Sequence, residues 1–161
     1  PSPYPQGSLP LVFTGAMDYW PNIDAVVWFT HNVLPLLRRS YPEISLTIVG
    51  GNPARAVRQL AQQAGVTVTG RVPDVRPYLK HARAAIAPMR IARGVQNKVL
   101  EAMAMRLPVL VSTKGLEGID AKDGDEVLLA ESASDYVRLF GELVHGEHAQ
   151  MGERALRAAD V

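Results

Sequence analysis

Apolar residues in this chain follow two rhythms. Short runs at 11–14, 45–49, 66–69, 84–87, 109–112 and 126–130 are rich in Val, Ile, Leu and Ala, and several close on glycine or proline. Runs of that length between breakers predict strands buried on both faces. Between them the apolar positions recur three or four apart, the helical period. Val26, Val27, Phe29, Val33, Leu34, Leu36 and Leu37 predict a helix over 23–40, with Pro35 as a kink inside it. A second helix is expected over 53–64, with Pro53 at its start and Gly65 just past its end. Asp74 is placed to cap a short helix holding Val75, Tyr78 and Leu79. Further helices are expected over 97–105, 134–145 and 148–159.

Alternating strands and helices predict an α/β domain, with a mostly parallel sheet of about six strands covered on both faces. Right-handed crossovers then give a doubly wound, Rossmann-like architecture. Ligands in such sheets bind where loops leave the carboxyl ends of the strands. The segments 15–20, 50–52, 70–74, 88–97 and 113–118 fall there.

Composition narrows the picture. The chain has 161 residues, the size of one domain, read as 11–161 after a linker at 1–10 that holds Pro1, Pro3, Pro5, Gly7 and Ser8. A helical pattern still runs at 158–161, so both ends read as cut points in a longer chain. Seventeen Lys and Arg against sixteen Asp and Glu leave a net charge of +1, which gives no global attraction to nucleic acid. There is no cysteine, so disulfides and thiolate metal sites are excluded. No apolar run approaches the roughly 18 residues of a membrane span, and the first residues do not form a signal peptide. A cytoplasmic protein fits. His31, His81, His145 and His148 are scattered without ligand spacing, so no metal site is expected.

The candidate chemistry gathers at Arg90, Arg93, Gly94, Val95, Gln96, Asn97 and Lys98. Asn97 or Gln96 could cap the helix that follows, leaving amides free at its start. Free amides beside Arg90, Arg93 and Lys98 suit a phosphate. Glu101 lies one turn in and could accept hydrogen bonds from a ribose diol. The plainer alternative is a surface helix with a Lys98–Glu101 pair. Gly-rich turns elsewhere do not match the dinucleotide fingerprint, which argues against a dehydrogenase.

The stretch Val99-Leu100-Glu101-Ala102-Met103-Ala104-Met105-Arg106-Leu107-Pro108-Val109-Leu110-Val111-Ser112-Thr113 resembles the C-terminal domain of the group 1, GT-B-fold retaining glycosyltransferases. The segments 15–22 and 93–98 are most similar to sugar transferases of bacterial exopolysaccharide systems. The resemblance implies a donor-binding half that holds a nucleotide diphosphate sugar, without a cofactor or bound metal. Glu101 would take the ribose hydroxyls. Gly94, Val95, Gln96 and Asn97 would offer amides to the diphosphate and sugar. Arg71 and Val72, between Gly70 and Pro73, would set backbone groups against the base, and Gly50 and Gly51 would let a strand end approach the donor. A separate N-terminal domain would hold the acceptor, a glycan or lipid-linked sugar, in the cytoplasm or at the inner membrane surface. No catalytic residue is assigned.

Two positions depart from the family pattern. The family's first glutamate, eight positions before the residue matched by Glu101, is replaced by Arg93. The basic pair that often follows the first strand is replaced by Asp18, Tyr19 and Trp20, with no base until Arg38. Arg90, Arg93 or Lys98 must then hold the phosphates. Arg93 keeps open a non-catalytic nucleotide-binding module of the same fold. A sugar-nucleotide epimerase is a third reading, with no convincing set of acid–base residues. Neither the base, the sugar nor the acceptor is legible.

Overall fold

The structure is a computed structural model and describes residues 1–159; Asp160 and Val161, which the domain reading includes, lie outside the described residues. In chain order the elements are β1 (Leu9–Thr14), α1 (Trp20–Asn32), α2 (Leu34–Ser40), β2 (Ile44–Val49), α3 (Arg55–Leu60), β3 (Val66–Gly70) and α4 (Arg76–Lys80). There follow β4 (Ala84–Ala87), α5 (Asn97–Ala104), β5 (Val109–Val111), α6 (Thr113–Leu116), β6 (Leu128–Leu129), α7 (Ala133–Val144) and α8 (Met151–Ala159). The six strands lie in the order β3-β2-β1-β4-β5-β6 and every pairing is parallel. This is the doubly wound sheet expected from the strand–helix alternation.

The strands divide their side chains between two cores with period two. Leu11 and Phe13 of β1, Leu46 and Ile48 of β2, and Ala84 and Ile86 of β4 face one layer. There Phe29 of α1, Leu37 of α2, Val57 of α3 and Phe140 of α7 cover them. Val12, Val49, Ala85, Ala87, Val109 and Val111 face the other, beneath Leu79 of α4, Val99, Ala102 and Met103 of α5, and Ala155 of α8. Both faces are covered, which is why the strands carry no polar alternation.

Several elements differ from their expected limits. The helix expected over 23–40 is two helices: α1 ends at Asn32, and Pro35 sits in the first turn of α2. Proline lacks the N–H that would bond four residues back and its ring crowds that carbonyl, so the break replaces a kink. The helix expected over 53–64 keeps only Arg55–Leu60; beyond it the chain turns towards Gly65, whose φ is +83. The linker is shorter than 1–10, because Leu9 and Pro10 already pair with Ile44 and Ser45. Tyr4 is docked too: its hydroxyl donates to the Tyr78 carbonyl at 2.6 Å. The short helix α6 was not expected; the Ser112 hydroxyl caps it by accepting from the Gly115 amide at 3.1 Å. Asp74 accepts from the Arg76 amide at 3.0 Å, but it stands one residue before Val75, which holds the cap position, so the expected Asp74 cap on α4 is not formed.

Candidate functional site

The strand order reverses between β1 and β4, and an open cleft of about 460 Å³ lies at the carboxyl ends of the strands beside that point. Clefts of a few hundred cubic ångströms at such a switch point are where open α/β sheets bind ligands. Thr14, Gly15 and Ala16 bring the end of β1 to it, and Val49, Gly50 and Gly51 the end of β2. Arg71, Val72 and Val75 follow from β3, Asn22 from α1, and Asn97, Lys98 and Glu101 from α5.

Helix α5 is aimed by its buried face. Val99, Ala102 and Met103, spaced three and four apart, are buried against β4 and β5. That leaves Asn97 and Glu101 exposed at the cleft. Gln96 occupies the cap position in extended conformation, and no side chain caps the helix. Its first amides therefore face the cleft end without a side-chain acceptor, with the positive end of the helix dipole.

Lys98 is the distinctive group. Its Nζ donates to Asn22 Oδ1 at 3.0 Å and to Gln96 Oε1 at 3.2 Å. It also sits 5.1 Å from the centroid of the Phe13 ring, within cation–π range. Burial lowers its pKa from the usual lysine value to about 8, opposed by the Glu101 charge on the same helix. Glycine makes room for this arrangement: a Cβ on Gly15 would lie 2.7 Å from Asn22 Nδ2 and 3.3 Å from Lys98 Cε.

Of the residues proposed from sequence, the cleft brings together Gly50, Gly51, Arg71, Val72, Asn97, Lys98 and Glu101. Gln96 joins them through Lys98. Gly94 is exposed with φ +73 and opens the turn into α5. Val95 is exposed beside Gly118, in a separate groove with Leu100 and Ile119. Arg90 is held elsewhere: its guanidinium donates to both carboxylate oxygens of Asp24, at 3.0 and 2.7 Å. Arg93 is exposed and does not line the cleft. Sequence reasoning singled out neither Asn22 nor Phe13, because their contacts with Lys98 join residues far apart in the chain. Ser112 is occupied structurally, donating to the Met89 carbonyl at 2.6 Å. His148 is half-buried against Glu142 at 2.9 Å rather than free in solvent.

The sequence profile of the family "Glycosyl transferases group 1" matches residues 9–145. The chain belongs to that family. A 44.6 kDa protein in the cps region of Klebsiella pneumoniae is 25% identical over 129 residues, covering 74% of this chain and 33% of that protein. The chain thus spans about a third of that relative's length. The fold is shared with TarM, at a TM-score of 0.76 and 16% identity, over 98% of this chain and 32% of TarM. It is also shared with HepE of Anabaena, solved with UDP and glucose, at a TM-score of 0.74 and 12% identity, over 95% of this chain and 44% of HepE. The six-stranded parallel sheet is the fold that this chain shares with both. Among the described residues no helix is long and apolar enough to cross a membrane.

Proposed function

We propose that this domain is the donor-binding half of a glycosyltransferase and that the cleft beside α5 holds a nucleotide diphosphate sugar. One observation carries the reading: uncapped helix amides, the Lys98 ammonium and the Glu101 carboxylate converge on one cleft at the switch point. The amides and Lys98 suit a diphosphate, and Glu101 suits a ribose diol one turn away. Backbone groups at Arg71 and Val72 would meet the base across the cleft. The leaving diphosphate would be stabilised by the same amides and ammonium, an electrostatic strategy that needs no resident metal. The acceptor, a glycan or a lipid-linked sugar, would be held by a further domain in a longer chain. The location that goes with this proposal is the cytoplasm or the inner face of its membrane. Polysaccharide or glycoconjugate assembly is the pathway we favour, supported by the cps-region relative.

Calorimetry with UDP, GDP, ADP and dTDP, in the presence of a chelator, tests this. One nucleotide should bind and Lys98→Ala should lower its affinity about ten- to a hundredfold, the weight of a hydrogen bond to a charged group. Unchanged affinity in the variant would sink the assignment of Lys98. A second reading is favoured by Arg93: a non-catalytic module that binds nucleotide only. Transfer by the domain joined to its acceptor half separates the two.

A further inference from the structure

Lys98 is held by neutral groups alone. Both of its hydrogen-bond acceptors, Asn22 Oδ1 and Gln96 Oε1, are carboxamide oxygens. Among the described residues it takes part in no salt bridge. The Asn22 side chain is itself pinned, since its Nδ2 donates to the Ala16 carbonyl at 3.0 Å. Asn22 is only 4% exposed. Its amide therefore ties the loop after β1 to the start of α5, across the point where the sheet reverses.

A neutral clamp orients a cation without cancelling it. A carboxylate at either position would do both. An ammonium has three donors, and the clamp takes two of them. We propose that Asn22 is the positioning residue for Lys98, fixing the ammonium in the cleft while keeping its whole charge for a phosphate-bearing ligand. The proposal rests on the donor-binding reading and deepens it, since it gives a second element, α1, a part in phosphate recognition. It also accounts for the missing bases after β1: in this chain the first turn of α1 supplies an amide that aims a lysine carried by α5.

The charge environment makes the clamp readable by titration. The ionisable groups that line the cleft with Lys98 are Glu101 on the same helix and Arg71 after β3. From α1 it meets Asn22, while the Asp24 carboxylate is engaged by Arg90. The ends of β1 and β2 contribute no ionisable group to the cleft. Burial already lowers Lys98 to about 8. An anion that needs the ammonium should therefore bind with constant affinity up to that pH and lose about tenfold per unit above it.

Asn22→Asp and Gln96→Glu each set a carboxylate against the ammonium, and Gln96→Glu leaves the Asn22–Ala16 bond intact should the first variant fold poorly. Two readouts are needed on the whole chain: the Lys98 titration midpoint by NMR of isotope-labelled lysine, and calorimetric affinity for UDP and inorganic pyrophosphate across the alkaline range. The midpoint should rise by about one unit or more in both variants. Affinity near neutral pH should fall about tenfold, and the alkaline loss should move to higher pH with the midpoint. An unmoved midpoint in both variants, or an equal loss of affinity at every pH, overturns the proposal and leaves the donor reading intact. Wild-type chain that binds pyrophosphate but no nucleotide overturns the donor reading and supports the clamp. Wild-type chain that binds neither overturns both.

Discussion

The carbonyl of Gly15 stands where a side chain on Gly50 would have to be: a Cβ on Gly50 would lie 1.7 Å from the Gly15 oxygen. The ends of β1 and β2 can close together only because residue 50 is glycine. The expected role of Gly50, close approach to a donor, is thus joined by a packing role just beyond the ends of β1 and β2. Gly50→Ala forces backbone apart, and overpacking of this kind costs about 1–3 kcal/mol. Gly51→Ala is the control, because its Cβ would meet nothing nearer than Arg71 Cβ at 3.9 Å. Urea unfolding should separate the two variants by at least about 1 kcal/mol. Equal stability would show that the strand ends can part without loss.

Glu101 stands exposed at the cleft one turn into α5, where a carboxylate can accept from both hydroxyls of a ribose. The expected outcome is selective. UDP should bind more tightly than its 2′-deoxy counterpart by about tenfold or more, the worth of one charged hydrogen bond. Glu101→Ala should erase that preference and weaken the deoxy ligand as well, because its remaining 3′-hydroxyl loses the same acceptor. Calorimetry on the two ligands and two proteins closes the cycle. A preference that survives the substitution would place the ribose elsewhere.

The elements that read true from sequence are those whose evidence is local. Val99, Ala102 and Met103 mark the buried face of α5 by spacing alone, and the short apolar runs mark the strands. Limits failed where a single residue overrode the pattern. The apolar period runs through Val33 and Leu34 without a gap, yet Pro35 divides the helix. The helix α6 covers Thr113–Leu116, one turn that is too short to show a period; its signal was Ser112 placed three residues before Gly115. The site was legible along α5 and at the glycine turns. Asn22 was not, because its partner is 76 residues away and nothing around it in sequence announces a lysine. Arg90 is basic and near the motif, which makes it one of three candidate phosphate ligands in sequence, with Arg93 and Lys98; its carboxylate partner, 66 residues distant, is found only in the fold.

That partner makes Arg90 a stability residue. The Asp24 side chain is 9% exposed and the Arg90 side chain 53%, so Arg90→Ala strands a nearly buried carboxylate. Loss of a hydrogen bond to a charged group costs about 1.5–3 kcal/mol, and the exposed half of this pair lies in water, which favours the lower end. Arg90→Ala should lower stability by about 1 kcal/mol or more, with nucleotide affinity within about twofold of wild type. An affinity loss as large as that of Lys98→Ala would return Arg90 to the diphosphate.

At the far edge of the sheet, α7 is opened by a reciprocal cap. The Asp135 amide donates to Ser132 Oγ at 3.1 Å, and Asp135 Oδ2 accepts from the Ser132 and Glu131 amides at 3.0 and 2.9 Å. Those amide bonds, with Ser132 foremost, hold the Asp135 carboxyl below its usual range. A carboxyl depressed in the folded state binds its proton more readily when unfolded. Its stabilisation is therefore complete above the unfolded value of about 3.9 and is lost as the pH falls through the lower folded value. Asp135→Asn should destabilise the chain at neutral pH, and the gap from wild type should close as acid protonates Asp135. Ser132→Ala should cost about 1 kcal/mol at neutral pH by removing the other half of the box. Urea melts at neutral pH and below pH 3, about a unit beneath that unfolded value, measure both; a gap for Asp135→Asn that persists unchanged in acid would show that the carboxylate's charge contributes nothing to the cap.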